Sequence, residues 1–361
     1  LNGVRITRIH LEEDAGSLTH ASHGSLVDFN RAGAPLMEIV TEPDIKTAEE
    51  AVAFGEELRR IVRYLGTSDA DMEKGLMRME ANISINRGTK VEVKNINSFK
   101  AVHDAITYEY KRHAAALNKG EVIIQETRGW NAEKGITVSQ RTKEDAHDYR
   151  YFPEPDLPPM YAEAFDLDGL KTAIPELPRE KRARFITEYG IKELDAYIVT
   201  EERAAAEFFE ESVSELKELS GEPPYALLLN YFTSDLWGIM KKDGMQFSEL
   251  KLTPANFARL VAFAADGTIG SRGAKDALIH MMQTGATAET VIKEKGLHQI
   301  SDANDLQETA KKILGENPQA IEDYKKGKTE SLHFLVGKAM KETKGTANPA
   351  ILREIFEKLL Q

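Results

Sequence analysis

The sequence predicts an α+β fold class, in which a mixed domain is followed by an all-helical domain and a small helical C-terminal tail. Three features carry that expectation. Up to about residue 159, short apolar stretches of period two alternate with stretches of period three to four. Beyond about residue 178 the period-two stretches stop. In their place come cap-plus-proline helix starts at Thr253-Pro254, Asn317-Pro318 and Asn348-Pro349. The expected division is 1–178, 179–293 and 294–361, with no internal repeat and no low-complexity stretch.

In chain order, residues 4–11 read as a strand, closed by Asp14-Ala15-Gly16 as turn chemistry. Residues 26–29 and 36–40 are short apolar strands, joined by a loop from Asn30 to Pro35 that holds both Gly33 and a proline. Thr47 and Glu50 have capping-box spacing, and Ala51, Gly55, Leu58, Val62 and Leu65 form the apolar stripe of the helix they open. Residues 78–86 alternate, with Met79, Ala81, Ile83 and Ile85 on one face and Arg78, Glu80 and Asn82 on the other. A strand over 91–96 and a helix capped by Ser98 follow, the helix burying Phe99, Val102, Ile106 and Tyr110. In the later part, Thr200 with Glu201 and Glu202 opens a helix, and further helices cover 271–283 and 287–295. Ile351, Leu352, Ile355, Phe356 and Leu359 stripe the last one.

Composition narrows the chemistry. Of 361 residues, 41% are hydrophobic and 29% charged, an ordinary globular balance. The absence of cysteine excludes disulfides, thiolate zinc sites, iron–sulfur clusters and a cysteine nucleophile. A net charge of −12 argues against general phosphate coating, so any nucleic-acid contact must come from a local patch. No apolar run approaches a membrane span, and the expectation is a soluble cytoplasmic protein. There is no GxxxxGK[ST], GxGxxG or GxSxG motif. Leu1 is not a methionine and residues 3–13 read as the middle of a strand system, so a missing N-terminal portion is expected.

Carboxylates mark the first domain: Glu12, Glu13 and Asp14 at a strand end, Glu38 among Leu36, Met37, Ile39 and Val40, and Glu80 on the polar face of its strand. Such hard oxygen donors suit Mg²⁺, whereas a Glu38 that faces solvent, or pairs with Arg31 or Arg78, is the structural alternative. His10, His20 and His23 are ligand or proton-carrier candidates, though each taken singly reads first as a surface or hydrogen-bonded histidine. The segment 147–153, with His147, Asp148 and Arg150, reads either as a site or as a proline-stiffened connector. In the tail, Lys325, Lys326, Lys328, Lys338, Lys341 and Lys344 stand against only Glu330 and Glu342 between residues 325 and 344. That excess suits a phosphate backbone, and equally a solvated helix face.

Five segments together carry a resemblance: IHLEEDAG (9–16), VDFNRAGAPLMEI (27–39), MRMEANIS (77–84), EVKNINSF (92–99) and EDAHDYRYFPEPDL (144–157). With GKAMKETKGTANP (337–349) in the tail, the chain resembles the B-subunit family of bacterial aspartyl/glutamyl-tRNA amidotransferases. The resemblance implies a cradle-like catalytic domain over 1–178, a helical domain over 179–293 and a tRNA-binding tail over 294–361. It implies a ligase that amidates misacylated Glu-tRNA(Gln) or Asp-tRNA(Asn), using ATP and Mg²⁺ to phosphorylate the side-chain carboxylate. Ammonia then comes from glutamine through an amidase (A) partner, with a small C subunit completing the complex.

Carried onto this sequence, Glu12 and Glu38 match the family's metal-binding glutamates. Glu80 is a candidate for a second metal or substrate contact; Arg78, Asn30 and Arg31 are candidates for binding substrate or phosphate, the last two also shaping the loop beside the site. The family's opening strand, with an EVH motif that supplies metal ligands including a histidine, has no counterpart before Leu1. An incomplete metal shell, weak metal binding and loss of the kinase step are therefore expected. The competing reading is a catalytically incomplete fragment acting in tRNA binding and assembly. The synthetase-like insertion of the related archaeal family is not seen between 114 and 178.

Overall fold

The computed structural model describes residues 1–142, 159–300 and 302–360. The signature stretch 144–157, with His147, Asp148 and Arg150, lies outside the described residues. The chain divides into two compact units, Leu1–Pro178 and Arg179–Gln361.

The first unit opens with four strands, β1 (Ile6–Glu13), β2 (Ser17–Ala21), β3 (Gly24–Asp28) and β4 (Pro35–Thr41). They form two separate antiparallel pairs, β1 with β4 and β2 with β3. Strand β1 starts two residues later than expected and extends through Glu13, and β2 is a strand that the sequence pattern does not announce. Of the alternatives for Glu38, the solvent-facing one holds: a two-stranded sheet leaves both faces open, and the Glu38 side chain is 45% exposed. Its ion-pair partner is Arg8 at 3.5 Å, not Arg31 or Arg78.

Helix α1 (Ala48–Tyr64) starts as the sequence predicts. Glu50 N–H donates to Thr47 Oγ1 and Thr47 N–H to the Glu50 carboxylate, closing the capping box. The helix ends one residue short of Leu65, which is exposed. Strands β5 (Met79–Ile83) and β6 (Val91–Ile96) follow, then α2 (Phe99–Asn118) with its Ser98 cap. Strands β7 (Glu126–Asn131) and β8 (Ile136–Thr142), unforeseen in the sequence, complete a four-stranded sheet in the order β5-β6-β7-β8. Only β6 and β7 are parallel, and α2 is the crossover that parallel pairing requires. The core packs Ala51 of α1 and Ala101, Val102 and Ala105 of α2 against Val93 and Ile96 of the sheet. Gly55 lets α1 approach closely, since a Cβ there would lie 2.7 Å from Met79 Sδ and 2.8 Å from the Phe99 ring. Tyr110, expected inside, is exposed; the buried face of α2 runs instead through Val102, Ala105, Glu109 and His113. Helix α3 (Leu167–Ala173) belongs to the same unit.

The second unit is helical. It comprises α4 (Pro178–Tyr189), α5 (Glu193–Val199), α6 (Arg203–Leu219), α7 (Tyr225–Asn230) and, after a π-helical turn over Tyr231–Leu236, α8 (Trp237–Asp243). Then come α9 (Pro254–Ala265), α10 (Ser271–Thr284) and α11 (Ala288–Lys295). The last four are α12 (Ala303–Glu316), α13 (Pro318–Lys325), α14 (Glu330–Glu342) and α15 (Pro349–Leu360). Thr253 caps α9 and Asn348 Oδ1 accepts from the first turn of α15, as their cap-plus-proline spelling predicts. Thr200 behaves differently from expectation: its hydroxyl donates to Ala196 O and closes α5, and α6 starts at Arg203. An apolar core of its own, built on Leu306, Leu335, Ala339, Leu352 and Phe356, holds α12 to α15 together. Among the described residues no helix is long and apolar enough to cross a membrane.

Candidate metal centre

Strand geometry assembles the site. Side chains two apart on a strand share a face, so His10 and Glu12 point the same way from β1. In the antiparallel register His10 lies directly opposite Glu38 of β4, and Glu12 opposite Leu36. Directly opposed residues share a face, which brings all three donors together. One ligand atom from each of His10, Glu12 and Glu38 lies within 4.8 Å of the others. The imidazole is half-buried, the Glu12 carboxylate faces solvent, and that of Glu38 is partly open beside Arg8. The other face of the pair carries Ile9, Leu11 and Met37, all exposed.

The donor set fits a hard divalent cation. Two carboxylates gathered this closely repel each other, and a divalent cation between them would relieve that repulsion. The single imidazole is a donor that Mn²⁺ and the later transition metals accept more readily than Mg²⁺, so carboxylates, water and substrate oxygens would make up most of a Mg²⁺ shell.

A clamp beside these donors holds the loop that leads into β4. Arg31 Nε donates to Asp14 Oδ2 at 2.7 Å, and its Nη1 donates to Gly75 O at 2.8 Å. Arg78 Nη2 reaches the same Asp14 oxygen at 3.5 Å. The backbone closes the loop as well: Asp14 N–H donates to Ala34 O, and Gly33 N–H to Asp14 O. Gly33 has φ +77°, which a side chain would strain. Asn30 contributes through its backbone N–H, which donates to Asp28 Oδ1. Arg31 is therefore committed to the loop, while Arg78 is 59% exposed and held by one long contact.

Glu80 is not among the clustered donors. It stands on β5 and pairs with Lys94 of β6 at 3.1 Å. Burial works to lower the Lys94 pKa, but the hydrogen bond and charge of Glu80, with Glu92, outweigh it and raise it. Of the other histidines, His20 Nδ1 contacts Ser25 Oγ within the β2–β3 hairpin, and His23 is exposed at the hairpin turn. The six tail lysines are all exposed. Lys326 pairs with Glu322 and Lys328 with Asp323, while Lys325, Lys341 and Lys344 have no ion-pair partner among the described residues.

Sequence reasoning weighs His10 singly and leaves it outside the site. Its spacing to Glu12, one residue between them on a strand, is the available signal. A second polar group escapes altogether. Glu109 of α2 is fully buried and accepts from Arg112 Nη2 at 2.8 Å and from Thr137 Oγ1, with Arg128 Nε 3.3 Å away. Arg128 also donates to Glu126 at 2.6 Å. His113, equally buried, has Nε2 3.1 Å from Glu109 Oε2, though not aligned as a hydrogen bond. Burial pushes the His113 pKa down; Glu109 opposes this and Arg112 adds to it.

Comparison with known proteins follows the same division of the chain. Residues 1–165 match the model of the GatB/GatE catalytic domain, and residues 207–360 match that of the GatB domain. Among curated proteins, the aspartyl/glutamyl-tRNA(Asn/Gln) amidotransferase B subunit of Thermodesulfovibrio yellowstonii is 44% identical over 100% of this chain and 77% of its own length. The protein of the same name from Thermotoga maritima is 45% identical over 99% of this chain and 76% of its own. That of Thermoanaerobacter sp. is 44% identical, covering 99% and 75%.

Proposed function

The chain belongs to the family of aspartyl/glutamyl-tRNA(Asn/Gln) amidotransferase B subunits, and from that premise we propose that it activates the side-chain carboxylate of misacylated Glu-tRNA(Gln) or Asp-tRNA(Asn) for amidation. The observation that carries the proposal is the convergence of His10, Glu12 and Glu38 on one strand-pair face. A carboxylate is a poor electrophile because its oxygen is a poor leaving group. In the proposed reaction the substrate carboxylate oxygen attacks the γ-phosphorus of ATP, ADP departs, and an acyl phosphate results. Ammonia then attacks the acyl carbon, the C–O bond to phosphate breaks, and the nitrogen loses a proton to leave the amide. Such in-line transfer asks the protein for positioning and charge rather than covalent catalysis, in keeping with a carboxylate-rich chain without cysteine.

Glu12 and Glu38, with His10 beside them, would hold a Mg²⁺ ion. When bound, the ion neutralises charge on the phosphate oxygens as phosphoryl transfer proceeds. Arg78, which lies beside Asp14 and is largely exposed, is placed in the proposal as a phosphate contact. Asn30 and Arg31 hold the loop before β4 through Asp28 and Asp14. Glu80 would have to leave Lys94 to touch a second metal or the substrate, so the proposed metal set omits it.

The proposal assigns the kinase and transamidase role to residues 1–178, a helical domain to 179–293 and tRNA binding to 294–361. In the tail, Lys325, Lys326, Lys328, Lys338, Lys341 and Lys344 would meet the tRNA backbone. Ammonia derived from glutamine would come from an amidase (A) partner, with a small C subunit in the complex, in the cytoplasm where tRNA is charged.

The test is ADP release by the chain assembled with its amidase partner, with and without Glu-tRNA(Gln). Release that requires the misacylated tRNA and is lost in the Glu12→Gln, Glu38→Gln variant is the expected result. Equal turnover in both proteins would refute the assignment and leave the chain with a tRNA-holding, assembly role.

A further inference from the structure

Helix α14 buries Leu332, Leu335 and Ala339 in the tail core, with Val336 and Met340 packed beside them. At 100° per residue that stripe is complete without Phe334, which falls on the opposite ridge with Gly337, Lys338 and Lys341. Phe334 is 49% exposed, so its ring serves the core little. The Lys338 ammonium stands 5.4 Å from the ring centroid. A Cβ at Gly337 would meet nothing within 4 Å, which leaves the surface one turn beyond the ring open. Lys344, just past the helix end at φ +54°, is exposed and without an ion-pair partner among the described residues, as is Lys341.

An exposed aromatic face bordered by cations is the arrangement that stacks an unpaired base while holding its phosphates. A duplex offers no such base face, because its bases are stacked on one another. We propose that Phe334 is a stacking platform for an unpaired nucleobase of the bound tRNA, with Lys338, Lys341 and Lys344 taking the neighbouring phosphates. The inference rests on the reading that the tail binds tRNA, and adds to it a contact with a base in a loop or at an end.

The test is fluorescence anisotropy of a labelled tRNA(Gln) transcript with the full chain across a salt series. Phe334→Leu, which keeps an apolar side chain but loses the π face, should weaken binding about tenfold with the salt slope unchanged. Phe334→Trp should bind as wild type, and its indole emission should be quenched when tRNA is added. The variant with Lys338→Gln, Lys341→Gln and Lys344→Gln should weaken binding and lower the salt slope by about two. If the lysine variant is weakened while Phe334→Leu binds as wild type, the stacking contact is overturned and the tail reading stands. Wild-type binding by both overturns the tail reading and this inference with it. Loss of the amidase partner from Phe334→Leu, with tRNA affinity intact, also overturns stacking and makes the ring a protein contact.

Discussion

Replacing Glu109 by Gln removes one buried charge from the first unit without changing the volume of the side chain. Glu109 is fully buried and receives Arg112, Arg128 and Thr137. In the variant Arg112 and Arg128 keep, among the described residues, only Glu126 as an anionic partner, at 3.8 and 2.6 Å. Leaving a buried charge uncompensated costs about 3–5 kcal/mol. Arg112, 26% exposed, can turn part of its guanidinium toward water, which places the expectation at the lower end, about 3 kcal/mol. With a urea dependence of about 2 kcal/mol per molar, the unfolding midpoint should fall by about 1.5 M. Trp130 reports on this region, packing edge-on against Tyr108 at 6.4 Å. Its emission can be followed in a Trp237→Phe background, since the chain has two tryptophans. A midpoint shift below about 0.5 M, worth about 1 kcal/mol, would refute the reasoning and mean that the two arginines are effectively solvated.

Two further outcomes follow from the geometry. Burial holds the folded-state pKa of His113 below its ordinary value, so below about pH 6.5 the unfolded chain takes up a proton that the folded chain refuses. Stability should therefore fall as pH drops from about 6.5 toward the lowered folded value, and His113→Gln should flatten that slope in urea midpoints; an unchanged slope would refute the assignment. Asp14→Asn removes the charge that holds Arg31 and Arg78 beside the donors. Mn²⁺ affinity, read by electron paramagnetic resonance, should drop about tenfold with the fold intact, and unchanged affinity would show that the clamp does not position the donors.

The clamp also bears on how the carboxylates are presented. Glu12 and Glu38, the candidate ligands, are exposed on a two-stranded sheet, where packing does little to fix their direction. Rigidity must then come from backbone pairing along β1 and β4 and from the loop that Asp14, Arg31 and Gly33 tie down. Arg31 is better described as part of that tie than as a free hand for phosphate.

Local chemistry was legible in the residues. Thr47 with Glu50, Ser98, Thr253-Pro254 and Asn348-Pro349 each satisfy backbone groups within a few residues of themselves, so their spelling alone sets helix starts. The alternation from Met79 to Ile83 needs only a sheet with one packed face, and half-buried and exposed residues do alternate there. The change from a mixed to a helical half was equally plain, because periodicity is carried by each stretch on its own. Tertiary structure decided what depends on distant partners. His10 becomes a candidate ligand only when register sets it opposite Glu38, 28 residues away. Glu38 is exposed because no further strand of the described chain covers its sheet, a fact its apolar neighbours concealed. Glu109 and His113 gave no signal in the sequence, since charged groups oppose burial until Arg128 and Thr137 arrive from β7 and β8 to compensate them. Pattern is a property of neighbours along the chain, whereas the cost of burying or gathering charge is set by groups that only folding brings near.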